Sequence, residues 1–284
     1  MKSAATSWMI VVFLSSLLTF CAEAGTQSDP HTYRGGIRNS TAKQRLKEKD
    51  MQRVVESLRE KTGFQSLSFD AEGFLTLADR QQVVGGSATA RQLLLDAMVS
   101  AAQFVLENHS HSSKVVFANL GKGTMYLNMR TKAQMEHLPI RIDFSDFGKL
   151  IGPKEVLASF DLGITLLHEL VHGVRKLHDS VNEWEELGDC ERFVNTIRKE
   201  LSLPERQQYI ARSHNVISPV GWTIKIAELQ FARTDFRNGR LKTDEYKLSW
   251  DVTRVGAGEP EASQRTLNAA SAKKPEQKSS AAIQ

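Results

Sequence analysis

Apolar side chains recur at three- and four-residue steps over residues 153–177 and predict one long helix. The positions that form this apolar stripe are Phe160, Ile164, Leu167, Val171 and Val174. A stripe of that width packs against a hydrophobic core while the opposite face of the helix meets solvent. Pro153 fits the start of the helix, because proline is well tolerated in a first turn.

The same periodicity predicts three further helices, at residues 42–61, 88–108 and 189–201. The segment 88–108 carries a continuous apolar face. The last helix is expected to end before Pro204, because the residue that precedes a proline is disfavoured in the helical conformation.

Shorter segments alternate between apolar and polar positions, as strands do. They lie at residues 64–69, 74–77, 114–119, 124–129, 140–144, 222–234 and 241–250. Asn238-Gly239 separates the last two segments, and this dipeptide favours a tight hairpin turn. The order of elements predicts an α+β domain, with helices packed on a small mixed or antiparallel sheet.

The two ends of the chain differ from the middle. Residues 1–24 begin with Lys2, continue with an apolar run at 8–20 and close on Ala22-Glu23-Ala24, which is typical of a cleaved signal peptide. The run is too short to span a bilayer comfortably. We therefore expect a secreted or periplasmic protein with a flexible lead-in at 25–41, one domain at 42–255 and a disordered tail at 256–284.

Composition narrows the class of partner. The 284 residues include 37 Lys and Arg against 33 Asp and Glu, a formal net charge of +4. Because the basic residues are interspersed with acidic ones, they form no compact patch for nucleic acid or for a membrane surface. We expect neither a nucleic-acid partner nor stable membrane insertion, and the oligomeric state stays open.

One motif in the long predicted helix carries chemistry. Residues four apart lie on one helical face, so His168 and His172 can present imidazole nitrogens to a single zinc ion. Glu169 follows the first histidine, where a carboxylate can take a proton from water that the metal activates. The H-E-x-x-H spacing follows from this geometry.

The third metal ligand has several candidates. His178 lies ten residues after His168, but a continued helix would carry it about 9 Å past His172. Glu185 and Glu186 fall in the segment that connects two predicted helices. The sequence favours Glu191, because the helix that contains it can pack against the motif and direct a carboxylate at the ion.

The sequence from His168 to His172 resembles the zincin superfamily of zinc metallopeptidases. Glu191 with Asn195 is similar to the gluzincin pattern, although that pattern has Asp where this chain has Asn195. Residues 191–206 also resemble a segment of bacterial effector metallopeptidases and of exported proteins. The resemblance implies a zincin-like fold and peptidase chemistry, and it covers about residues 160–209.

These observations predict an exported zinc-dependent hydrolase, a metallopeptidase with one Zn2+ per chain that cleaves a protein or peptide substrate. Its metal ligands would be His168, His172 and Glu191, and its catalytic residue Glu169. One alternative is a binding protein with a structural or relic zinc site, closed by Cys190 or by His178. A weaker alternative is hydrolysis of a non-peptide amide in a cell wall.

Overall fold

The computed structural model describes residues 34–112, 114–127, 132–180, 187–217 and 221–255. The predicted signal peptide, the predicted tail at 256–284 and residues 25–33 of the predicted lead-in lie outside the described residues. Within the described ranges, no helix is at once long and apolar enough to cross a membrane.

The described residues form five α-helices and eleven strands. The helices are α1 (Glu48–Thr62), α2 (Ala88–Met98), α3 (Lys154–Ser159), α4 (Leu162–Leu170) and α5 (Asp189–Glu200). The strands are β1 (Gly36–Asn39), β2 (Leu67–Phe69), β3 (Leu75–Leu77), β4 (Gln103–Asn108), β5 (Ala118–Leu120), β6 (Thr124–Leu127), β7 (Gln134–Ile142), β8 (Glu205–Arg206), β9 (Arg212–Ile217), β10 (Thr223–Arg237) and β11 (Arg240–Asp251).

A five-stranded mixed sheet supports the main core. Strands β1, β4 and β7 are parallel neighbours, and β5 and β6 both pair with β7 in antiparallel orientation. Helices α1, α2, α4 and α5 share the largest cluster of buried apolar side chains with this sheet. This arrangement confirms the α+β class and the mixed sheet that the sequence predicts.

A second, antiparallel sheet is built on the hairpin of β10 and β11, which turns at Asn238 and Gly239 as predicted. Strands β8 and β9 both pair with β10. The hairpin packs against α3 in a smaller apolar cluster. A separate hairpin of β2 and β3 confirms the strand prediction around residues 70–73.

The helix predicted at residues 88–108 was wrong in its second half. Helix α2 ends at Met98, and residues 103–108 form β4, the central parallel strand. A strand that is buried on both faces has a continuous apolar run, which does not distinguish it from a buried helix. In the predicted lead-in, the residues Gly36–Asn39 form β1 beside this strand.

The single long helix predicted at residues 153–177 was also wrong. Phe160 leaves helical geometry at φ −137°, which ends α3. The side chain of Asp161 then accepts a hydrogen bond from the backbone nitrogen of Ile164 at 2.9 Å and starts α4. An aspartate at this cap position satisfies a helix donor that has no partner within the helix.

A buried ion pair fixes the start of α4 against α1. The Lys61 ammonium is 1% exposed and lies 2.6 Å from the Asp161 carboxylate. The same ammonium donates to the backbone oxygen of Ala158 at 3.3 Å. The cap residue of α4 is therefore tied to a neighbouring helix, and this tie sets where the helix begins.

We expect Lys61→Met to lower the free energy of unfolding by about 2–3 kcal/mol, because Asp161 would lose its cation. Urea denaturation followed by circular dichroism measures the change. Lys49→Met is the matched control, since Lys49 lies exposed on the same helix. Equal losses in the two variants would contradict a special role for the Lys61 ion pair.

Candidate metal centre

The two motif histidines meet at the end of α4. His168 lies in the last turn of α4, and His172 follows in a π-helical turn at Val171–Arg175. Their Nε2 atoms lie 3.1 Å apart, and their rings are nearly perpendicular, at 83°. The predicted pairing of these imidazoles is therefore present in the structure.

The chain reverses directly after the π-helical turn. Lys176 adopts the left-handed conformation, at φ 56° and ψ 28°, which ends the helix. The reversal brings the backbone oxygen of Leu177 to 2.7 Å from Nδ1 of His172. It also carries Asp179 back to the two histidines.

Asp179 completes a triangle of possible metal-binding residues, and it faces each histidine with a different carboxylate oxygen. Its Oδ1 lies 3.3 Å from Nε2 of His168, and its Oδ2 lies 3.2 Å from Nε2 of His172. Two ligand atoms about 2.0 Å from one tetrahedral zinc ion lie about 3.3 Å apart. Each of the three distances is therefore close to the edge of a zinc coordination tetrahedron, with the two Asp179 distances measured to different oxygens of one carboxylate.

The Nδ1 atom of each imidazole faces an oxygen atom of a neighbouring residue. Nδ1 of His168 lies 3.3 Å from Oε2 of Glu191, and Nδ1 of His172 faces the Leu177 carbonyl. When Nδ1 of each ring donates to these oxygens, both Nε2 lone pairs are directed at the centre of the triangle. Such outer partners orient metal-binding histidines and make them more basic.

Glu191, which the sequence favours as the third ligand, lies behind His168. Its carboxylate is fully buried and pairs with Arg198 through Oε1 and with Arg206 through Oε2, the second at 3.0 Å. Burial acts to raise the pKa of Glu191, but the two guanidinium groups outweigh it and hold that pKa well below its usual range. The metal-ligand role of Glu191 stays a prediction, and its contacts fit support of His168.

In the gluzincin pattern the residue at position 195 supports a metal-binding histidine, but the Asn195 side chain contacts Arg198 and Arg206. Its Oδ1 accepts from Arg198 at 2.7 Å and from the backbone nitrogen of Arg206 at 2.9 Å. Asn195 therefore fixes the two arginines that hold Glu191. The histidine support falls to Glu191 instead.

Among the other candidates for the third ligand, the structure describes only His178, and it does not bring this residue to the site. His178 is exposed and belongs to no metal-binding group among the described residues. Glu185 and Glu186 lie outside the described residues. Asp179 was not predicted at the site, because the predicted helix continued through Lys176. The available signal was a carboxylate seven residues after His172, close to the predicted end of the helix.

Gly173 has a packing role in the π-helical turn. A Cβ at this position would lie 2.2 Å from the ring of Phe104 on β4. Only glycine allows the π-helical turn to approach the central strand this closely. The turn itself is made by Lys176.

Cys190 lies beside the triangle. Its Sγ is 3.6 Å from Nδ1 and 3.8 Å from Nε2 of His168, and the residue is fully buried. Together with His168, His172 and Asp179 it forms a group of four side chains that could hold a metal ion. Because the sulfur is nearer to Nδ1 than to Nε2, it lies alongside the imidazole ring.

Glu169 lies next to the triangle, with 6% of its surface exposed. Its Oε2 accepts a hydrogen bond from the backbone nitrogen of Leu120 on β5 at 2.6 Å. Burial raises the pKa of Glu169, and the nearby His168 and His172 partly oppose this effect. A carboxylate with a raised pKa is suited to accept and return a proton near neutral pH.

Tyr209 also reaches the site. Its ring stacks on His168, with centroids 6.4 Å apart and planes at 16°. Its phenol hydrogen-bonds to Asp179. Burial and the Asp179 carboxylate raise the pKa of Tyr209, so its phenol keeps its proton. His214, by contrast, is exposed on β9.

The histidines and Asp179 shift one another's pKa values. Burial acts to lower the pKa of His172, but hydrogen bonds to Asp179 and Cys190 outweigh it and raise the pKa to about 10. The same partners, with Glu191, hold the pKa of His168 well above its usual range. Burial would raise the pKa of Asp179, yet its bonds to the two histidines lower it. The anionic partners thus favour positive charge at the imidazoles.

The sequence and the structure were compared with known proteins. No protein-family model matches the chain. No curated protein and no solved structure matches it either. Any functional conclusion therefore depends on the geometry of the site.

Proposed function

We propose that this protein is an exported zinc-dependent hydrolase that cleaves peptide bonds. The observation that carries the proposal is the triangle of residues His168, His172 and Asp179. The two Nε2 atoms lie 3.1 Å apart, and the two Asp179 oxygens lie 3.3 and 3.2 Å from them, which is close to the spacing of ligands around one tetrahedral zinc ion. Three protein ligands leave the fourth position for a reactant, which is the pattern of catalytic zinc sites. Export rests on the signal-like pattern of residues 1–24.

The chemistry of the proposal divides between the ion and Glu169. A zinc ion held by the triangle would supply Lewis acidity, which polarises a substrate carbonyl and makes water more acidic. Glu169 accepts a proton from the attacking water and afterwards donates it to the leaving amine. Tyr209 and Glu191 keep Asp179 and His168 in place while this happens, because each contacts one of them directly.

Metal content and thermal stability test the proposal. Protein purified without chelator should contain about one zinc ion per chain, measured by mass spectrometry of the metal. Removal of zinc should lower the melting temperature, and zinc should restore it. With free zinc a thousandfold above the dissociation constant, the expected stabilisation is about 4 kcal/mol. An unchanged melting temperature on zinc addition would contradict a zinc site in the folded protein.

A second candidate function is favoured by the position of Cys190. If its sulfur is a fourth ligand, the site is closed, and the protein is an exported binding protein with a structural zinc ion. Cobalt substitution separates the two functions, because a cobalt–sulfur bond gives an intense charge-transfer band in the near ultraviolet. The peptidase proposal expects no such band, and Cys190→Ser should leave the spectrum unchanged. A strong band that disappears in Cys190→Ser would favour the structural site.

A further inference from the structure

A cavity of about 150 Å³ opens beside the candidate metal centre. His168 and Glu169 line it together with Thr165, one turn earlier on α4. Its remaining walls are Val116, Phe117, Ala118, Phe160, Ile164, Glu191, Arg198, Arg206 and Tyr209. A cavity of this size takes a group about as large as benzene. Glutamate, glutamine and leucine side chains therefore fit, and a tryptophan side chain does not.

The hydroxyl of Thr165 has no hydrogen-bond partner in the described part of the protein. Thr165 is 8% exposed, and its Oγ1 is buried. A buried polar atom without a partner costs about 1–3 kcal/mol, so a native protein keeps one where a ligand or water uses it. The side chain lines the cavity on the same helical face as Glu169.

Two buried arginines line part of the cavity. Arg198 and Arg206 are 1% and 8% exposed, and both pair with the single carboxylate of Glu191. Lys61, which is paired with Asp161, lies outside this lining. Of the two carboxylates in the lining, Glu191 is held by both guanidinium groups, and Glu169 belongs to the candidate metal centre. The two guanidinium groups favour an oxygen acceptor, and most of all an anion, beside them.

One residue in the wall of the cavity, Phe117, has an uncommon backbone conformation. Phe117 has φ 59°, a left-handed conformation that costs about 1–2 kcal/mol for a bulky residue. Its ring makes edge contacts with Phe160 and Trp250, and its backbone nitrogen donates to Asp146 at 3.3 Å. Packing therefore maintains the strained residue beside the cavity, and strain of this kind clusters at ligand sites.

We infer that the cavity is a substrate subsite for a side chain of moderate size that ends in an oxygen acceptor, with glutamate bound best and glutamine next. This inference rests on the proposed peptidase function and specifies its substrate class. The Thr165 hydroxyl donates to the acceptor oxygen, the arginines stabilise its negative charge, and the aromatic wall covers the methylene groups. The same field disfavours lysine.

The test measures binding, so it does not depend on turnover. Four peptide hydroxamates that differ only in the side chain next to the chelating group carry glutamate, glutamine, leucine or lysine. Their dissociation constants are measured on the zinc-loaded protein by calorimetry. We expect the glutamate compound to bind at least about tenfold more tightly than the lysine compound and more tightly than leucine.

Thr165→Val removes the hydroxyl at nearly constant volume, and Thr165→Ser is its matched control. We expect the valine variant to weaken the glutamate and glutamine compounds about fivefold, to spare leucine, and to be rescued by serine. Equal affinities for all four compounds, or equal weakening by Thr165→Val, would overturn the subsite and leave the metal site standing. Failure of every hydroxamate to bind the zinc-loaded protein would overturn the open metal position, and the subsite with it.

Discussion

Replacement of Glu169 by glutamine is expected to leave zinc bound and to reduce kcat/KM for a peptide substrate by about a thousandfold. Glutamine has the same size, and its oxygen can still accept the hydrogen bond that Glu169 takes from Leu120. It cannot accept and return a proton at neutral pH. Hydrolysis of a fluorogenic peptide pool and the zinc content of the same preparation provide the two measurements.

Glu155→Gln is the control for this prediction, because Glu155 is an exposed carboxylate on α3. It should retain full activity. A Glu169→Gln variant with unchanged turnover would show that this carboxylate does not carry the proton. If the Glu155→Gln and Glu169→Gln variants both bind zinc but neither cleaves any peptide, the binding-protein alternative gains support.

Asp179→Ala is expected to weaken zinc binding by more than about a hundredfold, because it removes one corner of the ligand triangle. Glu191→Gln should weaken it by about 10- to 100-fold, which is typical for a group that only supports a metal-binding histidine. This second variant should also lower the melting temperature, since Arg198 and Arg206 would then be buried without their anion. If Asp179→Ala weakens zinc binding more than Glu191→Gln does, Asp179 is the third metal ligand.

Zinc affinity is measured by competition with a coloured chelator, on protein whose fold is checked by circular dichroism. Asp189→Asn provides the control, because Asp189 is an exposed carboxylate in the same helix as Glu191. X-ray absorption of the zinc-loaded wild type counts its nitrogen, oxygen and sulfur ligands independently. If Glu191→Gln abolishes binding and Asp179→Ala does not, Glu191 is the ligand, as the sequence favours.

The pairing of His168 with His172 could be predicted because it depends only on helix geometry. Two residues four apart share a face whatever the rest of the chain does. The last helix and the final hairpin were predictable for similar reasons, since Pro204 limits the first and Asn238-Gly239 closes the second. Such local signals need no knowledge of tertiary packing.

Asp179 could not be predicted in the same way, because its position depends on the conformation of the backbone before it. A lysine in the left-handed conformation, as at residue 176, carries no side-chain signal, whereas a glycine would have suggested a turn. Asp161 was overlooked for a related reason. Its cap interrupts an apolar stripe that periodicity alone reads as continuous.

The segment between His172 and Asp179 can be used to recognise similar sites in other sequences. Within eight residues the chain supplies one imidazole, the carbonyl that orients it and the carboxylate opposite it. Two of the three corners therefore belong to a self-contained module with fixed spacing. Insertion or deletion of a single residue within this module should destroy the site. The spacing H-E-x-x-H-x6-D, followed eleven residues later by Cys-Glu, is a signature for finding the same arrangement in unrelated sequences.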